Sequence, residues 1–325
     1  MNASPGEFTE PVGHGVAATL RGELAGGLRL PDPGSGATRE RLRELRRFAA
    51  MNASLGRLIE AHADAVSILS EAGRHVDGHD ALAVWASGGP GGLNLQPTSG
   101  GAELVGRKAF CGGASMVDAA LVTVDSPEGQ RLVFVRLDAP GITVDDTTWQ
   151  SEGFADAGIC DVYFDHVAVD GAALTGPPGW YTARPGFWQG AIGVAALWAG
   201  MADAMVQRLP QWSRHTDQVA AVGNGTIAAD LWGIDASLDA AADWIDSHHL
   251  DDCAAVALAC RHCVQSHVRS IMSIVHHETG PAPLAFDRHM AVGRLELELA
   301  IGQCHGARDL AVLGALARNQ DSSAR

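Results

Sequence analysis

Positive charge is scarce in this chain of 325 residues: Lys and Arg total 23 against 38 Asp and Glu, a formal net charge of -15 at pH 7. That balance repels a phosphate backbone at long range, so nucleic acid is not the expected partner. Lysine is almost missing, Lys108 being the only one. No glycine-rich loop therefore ends in the Gly-Lys-Ser/Thr of a P-loop, and a lysine Schiff base has one candidate at most. Kinase-like and most pyridoxal chemistry falls away. Cysteine is sparse and scattered, at Cys111, Cys160, Cys253, Cys260, Cys263 and Cys304, which fits a reducing compartment and makes the cytoplasm the expected location. Met1 to Pro11 holds no basic region followed by an apolar core, so no secretory signal is expected.

Several catalytic patterns are missing as well. There is no Gly-x-Ser-x-Gly elbow for an ordinary serine hydrolase. His277-Glu278 is followed by Pro281 where a zincin needs histidine. Cys260, Cys263 and His267 share a helix face, but zinc sites more often pair such ligands across two elements, and buried free cysteine is common. A structural role is expected there, and no metal. Gly13-His14-Gly15-Val16-Ala17-Ala18 fits a dinucleotide fingerprint by letter only, because Met1 to Val12 supplies no strand before it. The longest stretch without formal charge, Pro185 to Ala202, borders on the roughly 18 to 20 residues of a membrane span. It carries Gln189 and three glycines, and Asp203 follows in the same helical pattern. A buried bundle helix is the expected reading and a membrane span the alternative.

What is present is a core-forming composition, 46% hydrophobic and 19% charged, with length for about two domains. Residues 1 to 37 are rich in Gly, Pro and Ala and read as a flexible lead-in. Thr38 is a plausible N-cap, and Leu42, Leu45 and Phe48, then Leu55, Leu58, Ile59, Val66 and Leu69, recur at helical spacing around a break at Asn52 to Ser54. After Asp80 the apolar runs shorten. Leu121 to Val124 and Leu132 to Leu137 flank the polar turn 125 to 130, and Cys160 to Val169 alternates, so strands are expected. Beyond Gly176-Pro177-Pro178-Gly179 come four long alanine-rich helical patterns, about Phe187 to Leu209, Ile227 to Ile245, Asp251 to His277 and Phe286 to Leu316, which predict a four-helix bundle.

One segment carries chemistry. Leu104 to Ala114 reads as an apolar strand, the basic turn Arg107-Lys108, Phe110, then the small residues Cys111, Gly112, Gly113 and Ala114; a second strand follows at Leu121. An exposed aromatic beside small residues offers a flat conjugated ring one face for stacking and close backbone N–H groups for its heteroatoms. A β-bulge holding a core phenylalanine is the plainer alternative.

This passage resembles the acyl-CoA dehydrogenase superfamily, in which a strand ending in Gly-x-Lys-x-Trp-Ile-Thr-Asn/Ser-Ala packs against the flavin of FAD. Pro140-Gly141, Gly153 to Val169, Gly193 to Gly200, Asp287-Arg288 and Arg308-Asp309 are similar to later family segments in the family's order. The resemblance spans about residues 40 to 317. It implies an α+β multidomain fold: a short N-terminal helical part over 38–80, a β-barrel domain over 81–178 and a C-terminal four-helix bundle over 179–325. It implies FAD held by Ser87, Phe110, Cys111, Gly112 and Gly113, with His277 reaching a neighbouring subunit's FAD, and hence a homodimer or homotetramer. Phe110 replaces the family's stacking Trp, and Gly112 stands where a Thr hydroxyl bonds the ring. The family's base, a Glu, is replaced by His305 in Cys304-His305-Gly306-Ala307, and the alternative base position, around Gln189 to Ala191, also lacks a carboxylate. Three activities follow as expectations: an FAD-dependent dehydrogenase of CoA- or carrier-bound acyl groups with His305 as base and a possible electron-transfer partner; a flavin monooxygenase on the same scaffold; or a degenerate member that binds without redox chemistry.

Overall fold

A computed structural model describes residues 14–75, 80–88, 92–99, 101–212, 218–248, 252–304 and 306–323. Three helices come first: α1 (His14–Ala25), α2 (Thr38–Met51) and α3 (Ala53–Glu71). Eight strands follow: β1 (Leu82–Trp85), β2 (Leu93–Thr98), β3 (Gly101–Cys111), β4 (Ala119–Val124), β5 (Arg131–Arg136), β6 (Ile142–Asp145), β7 (Cys160–Val169) and β8 (Leu174–Thr175). The rest is helical: α4 (Trp180–Ala183), α5 (Gly186–Gly190), α6 (Gly193–Trp212), α7 (Gln218–Ser247), α8 (Ala254–Thr279), α9 (Ala282–Phe286), α10 (Arg288–Gly302) and α11 (Gly306–Ser323). The mixed α+β class and the order helices, strands, helices agree with the sequence reading.

Four details differ from it. Residues 14–25, placed in a flexible lead-in, form α1, because Val16, Leu20 and Leu24 recur every fourth residue and bury one stripe despite the glycines. Thr38 is the first helical residue rather than the cap; its hydroxyl donates to Asp246 Oδ1 of α7 at 2.6 Å and accepts the Gly34 N–H at 2.8 Å. The last long helix is broken around residues 303–305 into α10 and α11. Among the described residues the strands make two four-stranded sheets, ordered β1-β4-β5-β8 and β2-β3-β7-β6, and no closed barrel. The first sheet stops at β8, two residues long and paired to β5 only through Leu174 and Thr175. Gly176-Pro177-Pro178 comes next, and prolines without an N–H cannot extend a ladder.

The N-terminal and C-terminal helices share one core. Leu45, Phe48 and Ala49 of α2 bury with Ala195, Ala196, Trp198 and Ala199 of α6 in the same cluster. The approach is close enough to require glycine: a Cβ at Gly200 would stand 2.1 Å from the Arg46 carbonyl oxygen. Arg46 then reaches across, donating to Asp203 of α6 at 2.6 and 2.9 Å and to Asp235 of α7. Gly186–Trp212 passes the length and composition test for a membrane span, but two-thirds of its apolar window is buried inside the protein. Gly200→Ala should therefore lower stability by about 1–3 kcal/mol, read as a lower midpoint in chemical denaturation; an unchanged midpoint would mean that α2 and α6 do not meet here.

Helix α3 is buried almost all round, as an apolar helix between layers must be. It packs on β1, where the buried His62 Nδ1 accepts the Leu82 N–H at 3.2 Å. Accepting at Nδ1 makes this imidazole neutral, and burial pulls its pKa from 6.5 down to about 4. The unfolded chain binds that proton at higher pH than the folded one does. The stabilising contribution of neutral His62 is thus full above about pH 6.5 and is lost as pH falls toward 4. Melting temperatures taken across that window should fall less steeply in His62→Gln than in the parent.

Candidate functional site

Two segments that leave the sheets make a shelf. β1 runs out into Ala86, Ser87 and Gly88, and β3 ends with Phe110 and Cys111 and runs out into Gly112 and Gly113. Cross-links between side chain and backbone hold them together. Trp85 Nε1 donates to the Gly112 carbonyl at 3.0 Å, and Ser87 Oγ donates to the Ala109 carbonyl at 2.8 Å. The ladder between β3 and β7 loses register between Lys108 and Cys111. That bulge puts Phe110 at φ 60, a left-handed conformation costly for a residue with a Cβ, and leaves its ring 56% exposed. Phe110 is therefore turned outward, not inward as the plainer alternative supposed.

A Cβ at Gly88 or Gly112 would meet nothing within 4 Å, so both present open backbone, Gly112 two residues beyond Phe110. Gly113 faces inward, with φ 73, where a Cβ would press 2.8 Å from Leu58 Cδ2 of α3. Cys111 is buried; its Sγ donates to the Lys108 carbonyl at 3.2 Å, and burial pushes its thiol pKa well up, so it supports the bulge rather than acting as a thiolate. Lys108 is buried beneath the shelf, with Nζ donating to Thr123 O at 2.7 Å and Thr123 Oγ1 at 2.8 Å. Burial lowers its pKa while Cys111 and Asp125 oppose the shift. A cavity of about 90 Å³ beside it is lined by Ser87, Gly88, Lys108 and Asp125.

Five of the sequence-predicted residues, Ser87, Phe110, Cys111, Gly112 and Gly113, thus lie on or under one surface. Of the other two, only His277 is described, and it does not join them. His277 is exposed in the last turn of α8, a helix that packs on α5, α6, α7 and α11. His305 lies outside the described residues, between α10 and α11. Its neighbour Cys304 is partly buried and feels the guanidiniums of Arg261 and Arg57, which oppose the upward push of burial on its thiol.

Sequence reasoning missed a charged group on α3. Arg57 Nη1 donates to Glu60 Oε2 at 2.7 Å, and Arg41 of α2 donates to Asp64 Oδ1 at 2.6 Å. Glu60 is only 6% exposed, and burial raises its pKa to about 7 against the opposing pull of Arg57. Gln189 of α5 is buried next to Gly34. The signal was available: Glu60, Asp64 and Ser67 recur at spacings of four and three, on one face of the helix. A larger cleft, about 630 Å³, opens elsewhere between α1 and the chain before β7, lined by Ser115, Met116, Trp149 and Glu152; it holds none of the expected flavin contacts.

No family model and no curated protein matches the sequence. Solved structures do match. The dibenzothiophene monooxygenase TdsC from a Paenibacillus species is 18% identical with a TM-score of 0.75, over 94% of this chain and 96% of that one. Butyryl-CoA dehydrogenase from Megasphaera elsdenii is 13% identical with a TM-score of 0.77, over 94% of each chain. The chain has the acyl-CoA dehydrogenase fold. The methanesulfinate monooxygenase MsuC from Pseudomonas fluorescens shares it, 17% identical with a TM-score of 0.76 over 96% of this chain and 98% of that one. TdsC has also been solved with FMN and indole bound.

Phe110 stores strain that packing does not demand. Phe110→Gly should raise stability by about 1 kcal/mol by relieving the left-handed backbone; a loss of stability instead would mean that the ring packs as a core residue.

Proposed function

We propose that the chain is a flavin-dependent oxidoreductase, with the isoalloxazine ring lying on the Phe110 shelf. The observation that carries this reading is Phe110 itself: an aromatic residue held exposed in a left-handed conformation two residues before the open backbone of Gly112. Strain kept at an exposed position points to function. The shelf suits a planar ring, since Phe110 offers a stacking face while Gly88 and Gly112 let it approach the backbone. Ser87, Phe110, Cys111, Gly112 and Gly113 would hold the ring, which is FAD on the family resemblance and FMN by analogy with TdsC. When bound, the flavin supplies hydride acceptance or oxygen activation.

The chain's own part is to orient, to exclude water and to move a proton. On the dehydrogenase form of the reading, a CoA- or carrier-bound acyl group would give up a proton beside its carbonyl to His305, the base that the resemblance implies. Electrons leave through a partner protein. The monooxygenase form uses reduced flavin and O2, and it is favoured by the missing carboxylate at both Gln189 to Ala191 and Cys304 to Ala307. The division into parts at 38–80, 81–178 and 179–325, a homodimer or homotetramer in which His277 reaches the second copy's flavin, and a cytoplasmic location belong to this same reading.

The visible absorption spectrum tests it, taken after titration with FAD or FMN and removal of the excess. A resolved flavin band near about one equivalent per chain is expected; no retained flavin would leave the degenerate binding protein. Phe110→Trp should tighten retention through its larger stacking surface, whereas weaker retention would mean that the shelf does not face the ring. Oxidation of butyryl-CoA by an artificial acceptor, without a flavin reductase, separates the dehydrogenase form from the monooxygenase form.

A further inference from the structure

The chain's only lysine crosses from one sheet to the other beneath the shelf. The backbone of Lys108 belongs to β3, paired with Val162 of β7 in the second sheet. Its Nζ donates to the carbonyl and the hydroxyl of Thr123 on β4 of the first sheet, at 2.7 and 2.8 Å. Residues two apart in a regular strand share a face. Here the register slip and the left-handed Phe110 part them, so the aromatic ring is outside and Lys108 is buried inside the same short segment. The Thr123 hydroxyl stands 3.5 Å from the Trp85 carbonyl, and Trp85 Nε1 donates to the Gly112 carbonyl, so the chain of contacts returns to the shelf. Lys108 also lines the cavity of about 90 Å³ together with Ser87 and Gly88 from one shelf segment, Ala109 from the other, and Asp125. An ammonium has three donors, and Thr123 takes two. Both of those acceptors are uncharged; burial works against the charge, and the Asp125 carboxylate favours it through space. A neutral donor would bridge β3 and β4 at a lower desolvation cost, so this ammonium is more than a tie between sheets.

We propose that Lys108 is the electrostatic group of the flavin site, setting positive charge under the ring so that negative charge arriving on the ring is stabilised. The proposal deepens the flavin reading above and rests on it. Hydride brings two electrons and one proton to a neutral oxidised ring and leaves it with one negative charge. A fixed cation in surroundings of low dielectric favours that product. Asp125 faces the same cavity with the opposite sign, and its exposure to water weakens its effect. Lys108 acts on the ring through its field and takes no part in proton transfer. It serves both forms of the reaction, because both pass electrons through the reduced ring.

The test uses the full chain loaded with FAD or FMN, in the parent and in Lys108→Met, Thr123→Val and Asp125→Asn. Sulfite is the probe: its sulfur lone pair forms a bond to N5 of the oxidised ring, the negative charge passes to the ring, and the loss of the visible band reports binding without turnover. Lys108→Met keeps an unbranched stem and removes the charge. It should weaken sulfite binding about tenfold and lower the two-electron reduction potential of the bound flavin by the equivalent of about 30 mV. Asp125→Asn should shift both in the opposite direction. Thr123→Val removes one acceptor, leaves the ammonium in place, and should keep sulfite affinity close to the parent's. Flavin bound to Lys108→Met with the parent's sulfite affinity and potential overturns the proposal, makes Lys108 a tie between sheets, and leaves the flavin reading standing. Where Lys108→Met does not fold, Asp125→Asn decides: tighter sulfite binding supports the proposal and unchanged binding overturns it. A parent that retains neither flavin overturns the flavin reading itself, and this proposal with it.

Discussion

The burial of α3 on nearly every side governs the rest of the molecule. A helix so placed has no solvent face on which to discard polar side chains, so each polar group it carries must find a partner inside. His62 finds the Leu82 amide of β1, Ser67 donates to the Ala63 carbonyl and to Asp32, and Glu60 finds Arg57. The His62 bond ties α3 to the first sheet and the Arg41–Asp64 pair ties it to α2, while α5 and α6 pack on it through Gly190 and Gly193. The sheets and the C-terminal helices hold a fixed relation because both are packed on the same rod.

That arrangement sets what a site at the junction can be. The shelf supplies apolar contact and open backbone with little charge, since Lys108 is turned beneath it toward Thr123 and the Cys111 thiol is kept neutral by burial. The cost of burying Glu60 is offset only in part by Arg57, whose side chain is itself partly exposed, and a half-compensated carboxyl is one that titrates near neutrality.

The amino-acid pattern exposed the order of elements because strands and helices differ in period. β4, β5 and β7 fall where alternation and polar turns placed them, and Asn52 breaks the first helical pattern because its side chain accepts the Leu55 N–H. The expected barrel does not form among the described residues, since ring closure depends on the pairing of distant edges, which no local pattern encodes, and here stops at a two-residue strand before two prolines. Helix α1 was hidden by its glycines, whose local preference is overridden by three leucine and valine contacts. At the site, Phe110 could be picked out by its small neighbours, but its outward turn comes from a register slip against β7 that no local pattern encodes.

The charged residues of α3 show a different kind of gap. Glu60 and Asp64 lie in a helix whose apolar residues suggest one buried stripe, and charges between such residues ordinarily read as a solvated face. Only packing of α5 and α6 over that face converts it into an interior. Both covering elements meet it with glycine, Gly190 opposite Asp64 and Gly193 opposite Glu60. Any larger side chain at Gly193 would be driven toward Leu45 and Glu60, 3.2 and 3.9 Å from its Cβ. The close approach of α5 and α6 to this face of α3 thus rests on glycine at both contacts.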